Sequence, residues 1–170
     1  EKTLPKINHF IIEIFSLYLG LTIICALLYY IFGMSGFDAI AHSMTTISTG
    51  GFSAHNSSIG FFDSSSIETI SIIFMIVGSL PFVVYLKFMH GERSSIIKDD
   101  QIKLFTLIII LLIGLTTLWL QKNSFHEDLL LSFRLSAFNI TSILTGTGYT
   151  SANYNTWGSF GLVIMIIIIP

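Results

Sequence analysis

The 170-residue sequence is 52% hydrophobic and only 11% charged, with a mean hydropathy of +0.79 and a formal net charge of −2. A soluble domain carries about 25% charged residues to keep its surface wet, so this composition excludes an ordinary water-soluble domain, and no basic patch is present to serve nucleic acid. The single cysteine, Cys25, sits in an apolar run and excludes a disulfide framework.

A bilayer core of about 30 Å needs roughly 20 apolar residues in a helix. Phe10 to Phe32 is the first stretch of that length, with Glu13 close enough to its start to reach the interface. A polar step then leads into a moderately apolar segment, residues 38–48, too short and too polar to span. It predicts a re-entrant helix that enters the membrane and stops, and it breaks into the Gly/Thr/Ser-rich turn 49–53. The second spanning stretch is Ile67 to Met89. Pro81 lies inside it and predicts a bend, because proline removes a backbone hydrogen bond. The third is Ile102 to Leu120. Residues 129–144 again predict a re-entrant helix, followed by the turn 145–150, and a fourth apolar run begins at Phe160. The chain has no initiator Met or signal-peptide pattern and stops at Pro170 in mid-run, so it is read as a segment of a longer protein.

Lysine and arginine set the expected orientation. Lys2, Lys6, Lys87, Arg93, Lys98 and Lys103 flank the N-terminus and the connection near residue 95, whereas Lys122 and Arg134 are the only basic residues in the two glycine-bearing connections. The expectation is a cytoplasmic N-terminus, with both short helices entering from outside.

The order helix, short helix, glycine turn, helix occurs twice, dividing the chain into units 1–93 and 94–170. Gly51 and Gly148 are equivalent points 97 positions apart, and TTISTGGFSAHN matches TSILTGTGYTSAN. Irregular backbone is tolerated at membrane depth only where it is buried or lines a wet cavity. A Gly/Thr/Ser turn offers carbonyl oxygens that can replace a cation's hydration shell. The preceding short helix aims its partially negative C-terminal end at that cation. Carboxylates are absent from both turns, which favours selection by carbonyls over an acidic ring. Phe52 and Tyr149 are expected to pack behind the turns as supports.

At these residues the sequence resembles the TrkH/KtrB/HKT superfamily of potassium transporters, and its TrkH branch in particular. GMSGFDAIAHSMTTISTGGFSAHNSSIGFF is similar to the second pore loop, FMIVGSLPFVVYLKFMHG to the inner helix after it, and FRLSAFNITSILTGTGYTSANYNTWGSFG to the third pore loop. The resemblance implies an all-α, potassium-channel-like membrane protein of four repeats of outer helix, pore helix, filter loop and inner helix. This chain would hold repeat two and most of repeat three, with the gating loop beyond Pro170. Gly51 and Gly148 match the family's filter glycines, preceded by Thr49 and Gly50 and by Gly146 and Thr147. The resemblance implies that the backbone oxygens of these six residues are the ion's ligands, although the full TVGYG signature is absent, as it generally is in the family. Also implied are a bacterial inner membrane, a homodimer, a cytoplasmic nucleotide-binding regulatory ring, potassium as the transported ion and no cofactor.

Other features have plainer readings. His9, His42, His55, His90 and His126 show no metal-ligand spacing. Arg134 is either a structural anchor or a tuner of the ion path, with Glu127 and Asp128 nearby in sequence. Asn56 and Asn139 head glycosylation-type triplets that are explained by chance. No enzyme fingerprint is present. Two alternatives stay open: a non-conducting remnant lacking a complete pore, and a helical membrane enzyme or adaptor whose glycine turns lie outside the bilayer.

Overall fold

The computed structural model describes residues 4–92, 94–123, 128–152 and 157. Among them the chain is all-helical apart from turns. The first helix, α1 (Leu4–Ile31), starts earlier than the apolar run because a helix can continue beyond the hydrocarbon it crosses. It stops at Gly33, whose φ of +108° allows Gly33 N–H to reach Tyr30 O and Met34 N–H to reach Tyr29 O. That pair of bonds is a Schellman stop.

Helix α2 (Gly36–Ile47) follows at once. Ser35 caps it by accepting from Asp38 N–H at 3.1 Å, and the Ser35 hydroxyl donates to the Asp38 carboxylate at 2.8 Å. Such a cap is worth about 1 kcal/mol. A 3-10 turn (Ser58–Phe62) leads to α3 (Ser65–Ser79), α4 (Phe82–Met89) and the single turn α5 (Ser95–Lys98). Helix α6 (Asp100–Lys122) is capped by Asp99 and α7 (Leu129–Leu144) by Asp128. The apolar run from Phe160 lies outside the described residues.

The stretch 67–89, expected as one bent helix, is two helices meeting at 87°. Proline cannot donate to the carbonyl four residues back, and it drives the preceding residue out of helical geometry. Leu80 accordingly has φ −75° and ψ 148°. The carbonyl deprived of its amide belongs to Val77, and the Tyr85 hydroxyl donates to it at 2.7 Å. The break is therefore closed by a side chain from the far side of the bend.

Two described helices, Asn8–Ile31 and Asp100–Lys122, are long and apolar enough to cross a membrane, and the α3–α4 pair makes a third if it is one bent span. Large apolar side chains point outward along both, including Ile11, Phe15, Ile23, Leu27, Leu107, Ile110 and Leu118. Water would not tolerate such faces, whereas lipid or further protein would.

Packing places α1 against α2, α6 against α7, and α3 between the two short helices. One apolar cluster joins Cys25 and Tyr29 of α1, Ile47 of α2, Ile67, Phe74 and Met75 of α3, Phe138 of α7 and Tyr149. Gly78 permits the approach of α3 to the end of α2, because a Cβ there would lie 2.6 Å from Ile47 O. An ion pair also bridges α3 and α7. Arg134 Nε lies 3.0 Å from the carboxylate of Glu68, which is 3% exposed, without the alignment of a hydrogen bond. Arg134 is thus anchored to a residue 66 positions away in sequence, and Asp128, its described acidic neighbour, caps the helix instead.

Candidate functional site

Each short helix ends in a turn built by the same bonds. After α2, the N–H groups of Gly50 and Gly51 both donate to Thr45 O, at 2.8 and 3.3 Å. After α7, Gly148 N–H donates to Ser142 O at 3.1 Å. A helix hydroxyl then ties down the limb beyond the glycine. Thr45 Oγ1 donates to Phe52 O at 2.9 Å, and Ser142 Oγ donates to Tyr149 O at 2.7 Å. Thr45 and Ser142 are themselves 97 positions apart, as are Phe52 and Tyr149. The glycine amide bond and the hydroxyl tie therefore both recur at the repeat offset, while the Gly50 bond belongs to the first turn.

The backbone in both turns alternates into the left-handed region at equivalent places. Thr49 has φ +50° and Gly146 +73°, while Gly51 has +64° and Gly148 +81°. Glycine takes this conformation at no steric cost, and a side chain does not. Alternating handedness spends the turn's amides on the helix end and leaves its carbonyls bare. Among the described residues no donor reaches the carbonyl oxygens of Thr49, Gly50, Gly51, Gly146, Thr147 or Gly148.

The turns also touch one another. A Cβ on Gly51 would fall 1.7 Å from Thr147 O, so the two backbones meet with no room for a side chain. Past the turns, Gly60 N–H donates to Thr150 O at 3.1 Å, and Thr150 N–H donates to Ser58 Oγ at 3.3 Å. The six residues expected as ligands thus lie in two adjoining turns. Such an arrangement presents neutral oxygen dipoles, suited to a weakly held, partly dehydrated cation.

The two aromatic residues differ. Tyr149 is buried, and its hydroxyl contacts Thr45 Oγ1 and donates to His42 O at 3.1 Å, both on the short helix of the other turn. Thr46 and Tyr29 extend this network to α1, and the Tyr29 hydroxyl meets Ser71 on α3 at 2.9 Å. Phe52 instead points outward and is 78% exposed, so within this chain it does not pack behind its turn as expected. Its carbonyl, rather than its ring, fastens the limb.

Near the start of α2, His55 Nε2 lies 2.9 Å from Asp38 Oδ1, and the His55 ring stacks on Phe61 at 3.7 Å. The Ser35 hydroxyl and His55 thus both meet the Asp38 carboxylate, at 2.8 and 2.9 Å. Elsewhere Glu13 lies 3.1 Å from His9 Nε2 and 3.2 Å from His90 Nε2. Among the described residues no group of three His, Cys, Asp or Glu side chains could hold a metal ion.

The family model for TrkH, described as a cation transport protein, matches residues 1–169. The chain belongs to the TrkH family. It is 34% identical over 164 residues to the Trk system potassium uptake protein TrkI of Halomonas elongata, covering 96% of this chain and 33% of that protein. It is 31% identical over 167 residues to the Trk system potassium uptake protein TrkH of Escherichia coli K12, covering 98% and 35%. The crystal structure of the potassium transporter TrkH from Vibrio parahaemolyticus superposes with a TM-score of 0.91 at 32% identity, over 96% of this chain and 36% of that one. The chain therefore spans about a third of the length of the relatives it matches. It is a membrane protein with the potassium-channel-like fold of TrkH.

In this TrkH-family chain the supporting residues were harder to read than the turns. Thr45, Ser142, His42 and Asn139 hold the loops, yet hydroxyl, imidazole and amide side chains on a short helix carry no signal individually. Their signal is positional: at the 97-residue offset Thr45 falls on Ser142 and His42 on Asn139.

Proposed function

We propose that the two glycine turns are parts of a selectivity filter through which potassium crosses a bacterial inner membrane, with Thr49, Gly50, Gly51, Gly146, Thr147 and Gly148 supplying backbone oxygens. The observation that carries this reading is the pair of equivalent turns, meeting backbone to backbone with their carbonyls bare. Transport of this kind is passage of an ion rather than catalysis, and it needs no cofactor.

On this reading, residues 1–93 and 94–170 are two pore-loop units whose short helices α2 and α7 dip into the membrane from outside. The N-terminus and the connection around α5 face the cytoplasm. A complete ring of ligands requires further loops of the same protein, in keeping with the greater length of the relatives. Tyr149 supports the filter from behind. Phe52 faces outward from this chain and would meet a neighbouring loop. Assembly as a homodimer and regulation by a cytoplasmic nucleotide-binding ring belong to the same proposal, and rest on family membership alone.

The test is potassium-dependent growth of transport-deficient bacteria expressing the complete reading frame that carries these residues, with cysteine accessibility measured alongside. Ser48→Cys and Thr145→Cys should label far more slowly than a cysteine in an exposed loop. Free labelling of both would move the turns out of the membrane. A well-inserted product that never supports growth would favour the non-conducting alternative.

A further inference from the structure

Nine residues before each turn glycine, a buried polar side chain bonds both to its own helix and to the limb beyond the turn. His42 precedes Gly51 and is fully buried, and Asn139 precedes Gly148 and is 1% exposed. His42 Nδ1 lies 2.8 Å from Asp38 O, four residues back on its own helix. A carbonyl only accepts, so Nδ1 carries the proton, and Nε2 of the neutral ring is an acceptor. Its partner is the Ser53 hydroxyl at 2.9 Å, which donates to it while accepting His55 N–H at 3.1 Å. Asn139 Nδ2 likewise donates to Leu135 O, four residues back, at 2.8 Å. Its amide also meets the limb beyond the second turn. Nδ2 donates to Ser151 Oγ at 3.1 Å, and Ser151 N–H donates to Oδ1 at 3.4 Å.

Two chemically different side chains at one repeat position thus perform one task. Each is braced by its own helix and holds the limb that leaves the glycine turn. The His42 carbonyl adds a link between the loops, because the Tyr149 hydroxyl donates to it. We infer that His42 and Asn139 are matched positioning residues that hold the two filter limbs at a fixed distance from their helices and so set how sharply the pore separates potassium from sodium. The inference rests on reading the turns as the ion filter. Neither side chain is bonded to the oxygens proposed to meet the ion, since their partners are Asp38 and Ser53, and Leu135 and Ser151. Both side chains are themselves buried, so water competes weakly at their end of each bond. A carbonyl filter discriminates through the number and spacing of its oxygens, so slack there degrades selectivity before it prevents passage.

The experiment measures potassium and sodium uptake, together with the amount of protein in the membrane, in cells expressing the complete reading frame. His42→Leu and Asn139→Leu should each lower the potassium-to-sodium ratio by about tenfold, the scale of one or two lost buried hydrogen bonds. His42→Gln, which keeps an acceptor for Ser53, should restore most of it. Ser53→Ala should lower the ratio in the same way, and combining it with His42→Leu should lower it no further. A purely structural role would reduce the amount of protein and leave the ratio alone. Unchanged ratios in the Leu variants, or a His42→Gln ratio no better than that of His42→Leu, would overturn the inference. Should the Leu variants fail to reach the membrane, Ser53→Ala and Ser151→Ala decide it, and unchanged ratios in both overturn it. Gly51→Asp run in parallel separates the two readings. If it alters uptake while these variants leave the ratio intact, only the positioning role falls. If it has no effect, the filter assignment falls first.

Discussion

Gly51 and Gly148 occupy equivalent positions and share a left-handed backbone, yet their surroundings differ. Either glycine changed to alanine takes on a strain of about 1 kcal/mol. At Gly148 nothing lies within 4 Å of the added methyl, whereas at Gly51 it would run into Thr147 O at 1.7 Å. Gly148→Ala should therefore retain most potassium uptake, and Gly51→Ala should lose it by forcing the turns apart, as growth on limiting potassium would report. Equal effects would mean that the contact between the turns is unimportant.

The aromatic residues one step onward are predicted to diverge as well. Tyr149→Phe removes a buried hydroxyl bonded to the opposite helix and should lower stability by about 1 kcal/mol. Thermal unfolding of the purified full-length protein checks this. The Phe52 ring points outward and holds no such place within this chain. That difference could not be read from sequence. Gly–aromatic–hydroxyl is the same word in both turns, and only the packing of the loops on one another decides which ring is enclosed.

Among the elements, the bend between α3 and α4 gives the sharpest case of sequence and structure diverging. Pro81 announces a bend, but neither its size of 87° nor the Tyr85 hydroxyl that stands in for the missing amide at Val77. Nothing in the apolar string around residue 81 marks Tyr85 as that partner. Tyr85→Phe should leave Val77 O unpaired and destabilise the protein by about 1–2 kcal/mol. Pro81→Ala in the same background restores an amide and should recover much of that loss, again by thermal unfolding. If the two changes simply add, Tyr85 is doing something other than closing the break. The outer helices were easy to read, because long apolar runs have few alternatives in a bilayer. The ion pair of Arg134 with Glu68 was not, since it joins residues 66 positions apart and local spacing pointed to the acidic residues just before α7.

At the scale of the whole molecule, the described residues bury the hydroxyl contacts behind the turns and turn apolar faces outward. The hydroxyl network of Tyr29, Thr45, Thr46, Ser71 and Tyr149 ties α1, α2, α3 and the second turn into one body. Membership of the TrkH family and the all-helical fold were legible from the repeat and from the two turn sequences. The coupling between turns was not, because it is made of backbone approaches and hydroxyl contacts that leave no pattern in a single unit. An ion filter of the kind proposed depends on both turns at once.

The most direct measurement is potassium uptake by transport-deficient cells expressing the complete reading frame with Gly51→Asp, Gly148→Asp or neither. The unaltered protein should support uptake, and each single replacement, correctly inserted, should abolish it or erase its preference for potassium over sodium. Uptake and preference untouched by both replacements would contradict the account, since the two turns could not then line the path of the ion.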